Sequence, residues 1–280
     1  WCRRFELALD DQALKRFVDV EEPSGFEALE FVGKIGSGSM GTVWEVRHTG
    51  LDRREALKLL KKELVWCGTY AKRFKREGRT IKRLQHRRLV DVYDMNQTSE
   101  GQPYIRMELS RGLSLSQYVA RNDGISLEEA LQYTDQLLDA LEHVHSKGII
   151  HRDIKPSNIM LSEDGVRLID FGIAKLEQGT RYTNVQSGSI MGTDQYMAPE
   201  QRDGEATERS DLYSVGRTLF AMLAGRPPRH ARPEMLGDVV PGVHPEVEAF
   251  YGKATKLLEE ERFKSATEMR AALRQVGCAE

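Results

Sequence analysis

A chain of 280 residues has room for one large domain or for two smaller lobes, with an ample core in either case. Apolar residues make up 40% and charged residues 30%, and 41 Lys and Arg against 43 Asp and Glu leave a net charge of −2, which gives no reason to expect a nucleic-acid partner. No apolar run approaches the roughly 20 residues of a membrane span, and Cys2, Cys67 and Cys278 are too scattered for a disulfide framework or a zinc site, so a cytoplasmic setting is expected.

The chain opens on Trp1 rather than Met, which reads as a fragment or processed chain and leaves room for a membrane anchor or sensor domain outside it. In residues 1–25, Phe5, Leu9, Ala13 and Phe17 recur every fourth position, which predicts an amphipathic helix ended by Pro23-Ser24-Gly25. From Phe26 the pattern turns to strand. FEALEFVGKI runs into Gly36-Ser37-Gly38-Ser39-Met40-Gly41, and TVWEV follows with alternating, β-rich character. Glycines at this spacing let backbone N–H groups approach phosphates. A dinucleotide-binding turn needs a helix opening at the glycines; here Val43 already belongs to a strand, which favours a strand–turn–strand flap.

EALKLL then places Lys58 inside an apolar strand, a costly position unless the ammonium is paired. The candidate carboxylate is Glu77 in YAKRFKREGRTIKRL, a helical stretch with Phe74, Ile81 and Leu84 on one stripe. Gly78 weakens that helix by about 1 kcal/mol relative to alanine. From Lys72 to Arg88 nine residues are basic and Glu77 alone is acidic, which suits a solvated helix face or a docking surface for phosphate or an acidic partner. Strand runs LVDVYDM and PYIRMEL follow, separated by a polar turn from Asn96 to Gln102. Ser126-Leu127-Glu128-Glu129 reads as a capping box opening a helix through Ser146, in which His143 and His145 are expected to be ordinary helix residues.

The stretch HRDIKPSNIMLSEDGVRLIDFG, from His151 to Gly172, reads as a loop, a short hairpin turning at Asp164-Gly165, and a second loop. It would hold Asp153 and Asn158 on the first loop and Asp170 on the second, facing one place. That suits one carboxylate receiving a hydroxyl proton while another carboxylate and an amide oxygen hold Mg²⁺ on phosphates. Both H-R-D-x-K-x-x-N and D-F-G are complete. With the glycine turn and Lys58, they resemble the eukaryotic-like protein kinases, from residue 26 to about residue 275. GTDQYMAPEQ and RFKSATEMRAAL look most like the bacterial branch of that family.

The resemblance implies an α+β, two-lobed fold: an N-terminal extension over 1–25, an antiparallel β lobe with one main helix over 26–109, and a mainly helical lobe over 110–280. It implies ATP and Mg²⁺. Asp153 would be the catalytic base and Lys155, a mark of Ser/Thr rather than Tyr kinases, would neutralise the transferred phosphoryl group. Asn158 and Asp170 would hold the metal, and Lys58, kept in place by Glu77, the phosphates. Ile35, Gly36, Gly38, Gly41, Val43, Ala56 and Met160 would surround the nucleotide, with Met107 as gatekeeper and Glu108-Leu109-Ser110 as hinge. Gly192–Gln201 would contain the substrate-binding loop, and Glu200 should pair with Arg262. Two departures stand out: Arg217 in an otherwise aliphatic helix, and Arg229 after Pro227-Pro228 where an aromatic residue is usual. The stretch from Asp211 to Arg262 is also short.

By the same resemblance Arg152, Lys175 and Arg73 form a basic pocket beside an activation segment, and Ser189 or Ser187 is the phosphoacceptor that enters it. Ser114, Ser157 and Ala221 stand where carboxylates would select an upstream arginine, so little such preference is expected. Partners would be ATP, proteins with Ser or Thr acceptors, and a second copy of the chain for autophosphorylation in trans. The rival reading is an ATP-binding pseudokinase; such proteins usually lose one of the residues that Lys58, Asp153 and Asp170 supply here.

Overall fold

The computed structural model describes residues 26, 28–38, 41–60, 79, 81–171, 195–229 and 234–276. The helix expected before residue 25, and most of the one expected around Glu77, lie outside these residues.

Strands β1 (Leu29–Gly38), β2 (Gly41–His48), β3 (Arg53–Leu60), β4 (Val92–Gln97) and β5 (Pro103–Glu108) form one antiparallel sheet in the order β1-β2-β3-β5-β4. Alternation along the strands sorts the side chains onto two faces. Val43, Ala56, Ile105 and Met107 join the main core, whereas Trp44, Val46, Leu57 and Leu59 form a second one with Phe26, Phe31 and Tyr104. The Phe31 and Trp44 rings meet edge to face at 5.4 Å. Glu55 is fully buried, and Arg106 and Arg53 both donate to its carboxylate. Burial alone would raise that carboxyl, but the two guanidiniums outweigh it and hold it below its ordinary range. The turn between β4 and β5 is tighter than the expected Asn96–Gln102. Asn96 and Gln97 remain in β4, and the turn closes through Thr98 N–H to Gln102 O at 2.8 Å.

The rest is mainly helical: α1 (Leu115–Asn122), α2 (Leu127–Ser146), a 3₁₀ turn at Pro156–Asn158, the hairpin β6 (Ile159–Ser162) and β7 (Gly165–Leu168), then α3 (Pro199–Arg202), α4 (Glu208–Ala224), α5 (Pro245–Ala254) and α6 (Ala266–Val276). Helix α4 is buried all round from Ser210 to Met222, as befits the central helix of a lobe. Leu137, Leu141 and Val144 of α2 and Leu212, Val215 and Leu219 of α4 belong to one core with the hairpin residues Ile159, Val166 and Leu168. Arg270 pins α6 to α2 through Asp135 at 2.9 Å, Asp139 at 2.6 Å and Glu142 at 2.8 Å.

Half of the capping box expected for α2 forms. Ser126 Oγ accepts from Glu129 N–H at 3.2 Å, but the Glu129 carboxylate accepts instead from the Tyr118 and Tyr133 hydroxyls at 3.0 and 2.7 Å. Packing of α1 on α2 offers it better donors than the helix's own end. Of the basic run, Arg88 fits neither expectation for it. Its side chain is buried and donates to the Asp164 carbonyl at the hairpin turn, while Leu168 N–H donates to Arg88 O at 2.8 Å. The segment before β4 is thereby stitched to the hairpin that carries the candidate site.

Candidate active site

The two loops flanking β6 and β7 come together as their sequence suggested. Asn158 Nδ2 donates both to the Asp153 carbonyl and to Asp153 Oδ2, each at 2.8 Å. Lys155 Nζ lies 3.1 Å from the same Oδ2. From the sheet above, Lys58 Nζ reaches Asp170 Oδ1 at 2.8 Å, so one ion pair spans β3 and the second loop. Ile169 N–H donates to Asn158 O at 2.9 Å, which ties the second loop to the first. The glutamate expected to hold Lys58, Glu77, lies outside the described residues, as do Arg73, Lys175, Ser187 and Ser189. The lysine's described partner is Asp170.

The backbone here is unusual. Arg152 and Asp170 have φ of 69° and 58°, left-handed values that non-glycine residues hold only when their surroundings impose them. For Arg152 the cause is Asp211, the buried fourth residue of α4. Its carboxylate accepts from the backbone N–H groups of both His151 and Arg152 at 2.8 Å, and His145 Nε2 lies 2.9 Å from it. Gln201 of α3 donates to the Arg152 carbonyl at 2.6 Å. His145 is therefore not the ordinary helix residue the sequence suggested; it forms part of the support under this loop. Asp211 stands six residues before Arg217 in the same largely aliphatic run, where an acidic residue is a signal that something must neutralise it. The other histidine, His143, stacks on His86 at 5.2 Å. His151 is fully inside, against the Phe171 ring at 4.7 Å; burial drives its imidazole well below the ordinary value, and its Nδ1 accepts from Asp153 N–H at 3.3 Å. A neutral ring with an acceptor at Nδ1 satisfies both facts.

On the sheet, Val43 pairs with Lys58 and Ala56 with Met107, so these four residues occupy neighbouring positions on one face. Gly38 at the end of β1 pairs with Gly41 at the start of β2, strand against strand with no helix opening at either glycine, which removes the dinucleotide-turn reading. A Cβ on Gly41 would lie 2.0 Å from the Leu59 carbonyl oxygen, so glycine is required there by β3. Gly36 has nothing within 4 Å of such a Cβ; its lack of a side chain leaves the flap open to an approaching group. Ile35 is half exposed beside it. Past Met107, Glu108 N–H donates to Asp91 O at 2.9 Å and its carboxylate accepts from Arg167 Nη2 of β7 at 2.7 Å, which joins the sheet to the hairpin; Leu109 and Met160 are half-buried below.

These groups suit a nucleoside triphosphate with a hard cation. Asn158 spends its amide hydrogens on Asp153, which leaves its oxygen as the donor a metal would use, and Asp170 supplies a carboxylate. Among the described residues no group of three His, Cys, Asp or Glu could hold a metal alone. A cation here would need phosphate oxygens and water to complete its shell, as Mg²⁺ commonly does. No helix among the described residues is long and apolar enough to cross a membrane.

A flap-bearing antiparallel sheet over a helical lobe, with one lysine, two aspartates and an asparagine converging between them, defines the two-lobed protein-kinase fold. Residues 29–241 match the protein kinase domain family, and the chain belongs to it, in its bacterial serine/threonine branch. A probable serine/threonine-protein kinase of Streptomyces coelicolor is 36% identical over 270 residues, covering 90% of this chain and 40% of that protein. The serine/threonine-protein kinase PknB of Mycolicibacterium smegmatis is 36% identical over 264 residues, 86% of this chain and 42% of its own. The chain thus spans less than half the length of these curated relatives. The crystal structure of the Mycobacterium tuberculosis PknI kinase domain superposes with a TM-score of 0.75 at 27% identity, covering 91% of this chain and 99% of that one.

Proposed function

We propose that this domain transfers the γ-phosphoryl group of ATP to Ser or Thr hydroxyls of proteins, holding the nucleotide between a lobe of residues 26–109 and one of residues 110–280. The observation that carries the reading is a pair of linked groups: Lys155 and Asn158 within hydrogen-bonding distance of Asp153, and Lys58 of Asp170, with the two loops joined by Ile169 N–H to Asn158 O. Asp153, oriented by Asn158, accepts the proton of the attacking hydroxyl. Lys155, 3.1 Å from that carboxylate, neutralises the group in transfer. Asn158 and Asp170 hold Mg²⁺, which neutralises the phosphate oxygens when bound. Lys58 lines up the α- and β-phosphates, with Glu77 as its partner. Val43, Ala56, Met107 and Met160 enclose the adenine, and the backbone of Glu108-Leu109-Ser110 binds its edge. The work asked of these side chains is positioning and charge neutralisation.

Activity is regulated, in this reading, by autophosphorylation at Ser189 or Ser187, whose phosphate gathers Arg152, Lys175 and Arg73. Ser114, Ser157 and Ala221 bring no carboxylate toward the acceptor-bearing chain, so a positional peptide library should show little selection for arginine upstream of the acceptor. The deciding experiment is phosphate transfer from ATP to the protein itself and to a general acceptor, compared with Asp153→Asn. Transfer should fall to background in the variant. Equal signal from both would remove the enzyme reading and leave an ATP-binding scaffold.

A further inference from the structure

The two departures in the C-terminal half, Arg217 and Arg229, meet in the structure. Arg217 lies within α4 and is 1% exposed, among the largest fully buried side chains. A guanidinium in such a place is costly unless donors on it find acceptors, as its Nε and Nη2 do. Nε donates to the Gln195 carbonyl at 2.8 Å, and Nη2 donates to the Arg229 carbonyl. One side chain therefore joins the segment before α3 to the segment after α4. The Tyr213 ring lies beside it, 6.0 Å from the guanidinium carbon to the ring centroid.

Both joined segments are held at further points. Ser214, one turn before Arg217 on the same helix, donates to the Tyr196 carbonyl at 2.8 Å, so α4 grips two successive carbonyls. At the far end of that stretch Gln201 donates to the Arg152 carbonyl, immediately before Asp153. Residues 195–201 are thus strung between α4 and the loop bearing the proposed base. Beyond α4, Arg226 pairs with Glu234 at 2.6 Å, and the same carboxylate accepts from Arg229 N–H at 2.9 Å, which closes the second segment on itself.

We propose that Arg217 is a positioning residue for the protein substrate. It sets the height of residues 195–197 against α4 and couples them to residues 226–229, so that binding of the acceptor chain depends on it and handling of ATP does not. An aromatic residue after Pro227-Pro228 could anchor that segment by its side chain; here the Arg229 side chain is exposed and the anchor is its carbonyl, held from below by Arg217. This inference rests on the reading of the site as a protein kinase. Its test therefore includes one arm that requires no catalysis.

The experiment compares the parent chain with Arg217→Met and Arg217→Lys. Hydrogen exchange should show residues 195–198 and 226–229 losing protection together in Arg217→Met, while α2 and α6 keep theirs. Steady-state kinetics with a peptide acceptor should show its KM raised about tenfold or more, with the KM for ATP and the rate of ATP hydrolysis without peptide within about twofold of the parent. Arg217→Lys, which keeps the charge but can serve one carbonyl at a time, should lie between the two. Unchanged exchange in both segments, or equal loss of peptide transfer and ATP hydrolysis, overturns the proposal. If Arg217→Met does not fold, Arg217→Lys is judged by the same exchange and KM criteria. If the parent chain transfers no phosphate, the kinase reading fails while the exchange arm still decides the coupling.

Discussion

Asp211 acts well beyond its own helix. Two backbone N–H groups and a histidine converge on its carboxylate, and through them it imposes the left-handed conformation at Arg152 that sets the direction of Asp153. Hydrogen bonds to a buried carboxylate are worth more than neutral ones. Asp211→Asn keeps the shape, loses the charge and presents a donor where an acceptor is needed. It should cost roughly 2 kcal/mol or more in stability and lower kcat by about a hundredfold. Chemical denaturation and steady-state kinetics check both numbers; a variant with parental kcat would show that the loop holds itself. Lys58→Met is its counterpart. Lys58 is not fully enclosed and its described polar partner is Asp170, so methionine should abolish transfer with little change in melting temperature. Loss of only a few-fold in kcat at unchanged melting temperature would remove Lys58 from its proposed role.

Among the elements, the β1–β2 flap separates two uses of glycine. At Gly41 the constraint comes from inside the protein, because a methyl group would collide with the Leu59 carbonyl and force the β2–β3 ladder apart. At Gly36 nothing within the chain objects. Gly41→Ala should therefore cost about 1–3 kcal/mol of stability as well as raising the KM for ATP. Gly36→Ala should leave the melting temperature where it is and change only the KM for ATP. Thermal unfolding of the two variants beside ATP titrations tests the distinction; equal destabilisation by both would mean that the flap is packed differently from the arrangement described.

For the molecule as a whole, the helical lobe is tied together by buried ion pairs that make stability depend on pH. Arg262, almost wholly buried, donates two bonds to Glu200, at 2.7 and 2.8 Å, and others to the carbonyls of Lys256 and Leu257. Burial by itself would raise the Glu200 carboxyl, but Arg262 and Ser210 outweigh it and hold it below the ordinary carboxylate range. A carboxyl depressed in the folded state contributes stability that is complete above its unfolded value, about 4.3, and is lost as pH falls below it. His151 acts earlier. Buried neutral, it resists protonation, so stability begins to decline once pH drops below about 6.5. Glu200→Gln should destabilise the chain by about 3 kcal/mol at pH 7 by leaving Arg262 buried without its partner. The difference from the parent should shrink between pH 4.5 and 3, where the parent's own carboxyl protonates. A difference that stayed constant with pH would mean that the pair is not ionised as described.

Short-range signals in the sequence carried the candidate site residues. Asp153, Asn158 and Asp170 sit on a hairpin whose turn is marked by Asp164-Gly165, and Lys58 interrupts an apolar strand; such signals are short-range, because strand alternation and turn geometry act over a few residues. Glu200 with Arg262 was legible through the family pattern and stands as expected, at hydrogen-bonding distance. The support beneath these groups arose from long-range packing alone. His145 looked like a helix residue and Asp211 carried no local sign of its partner until folding placed them 2.9 Å apart under the loop of Asp153. Glu129 turned from its own helix end to two tyrosines, Arg88 left a basic run to hold a hairpin turn, and Arg217 and Arg229 became one link. Each depends on residues distant in sequence meeting in a buried place, where a polar group must find a partner that no local spacing specifies.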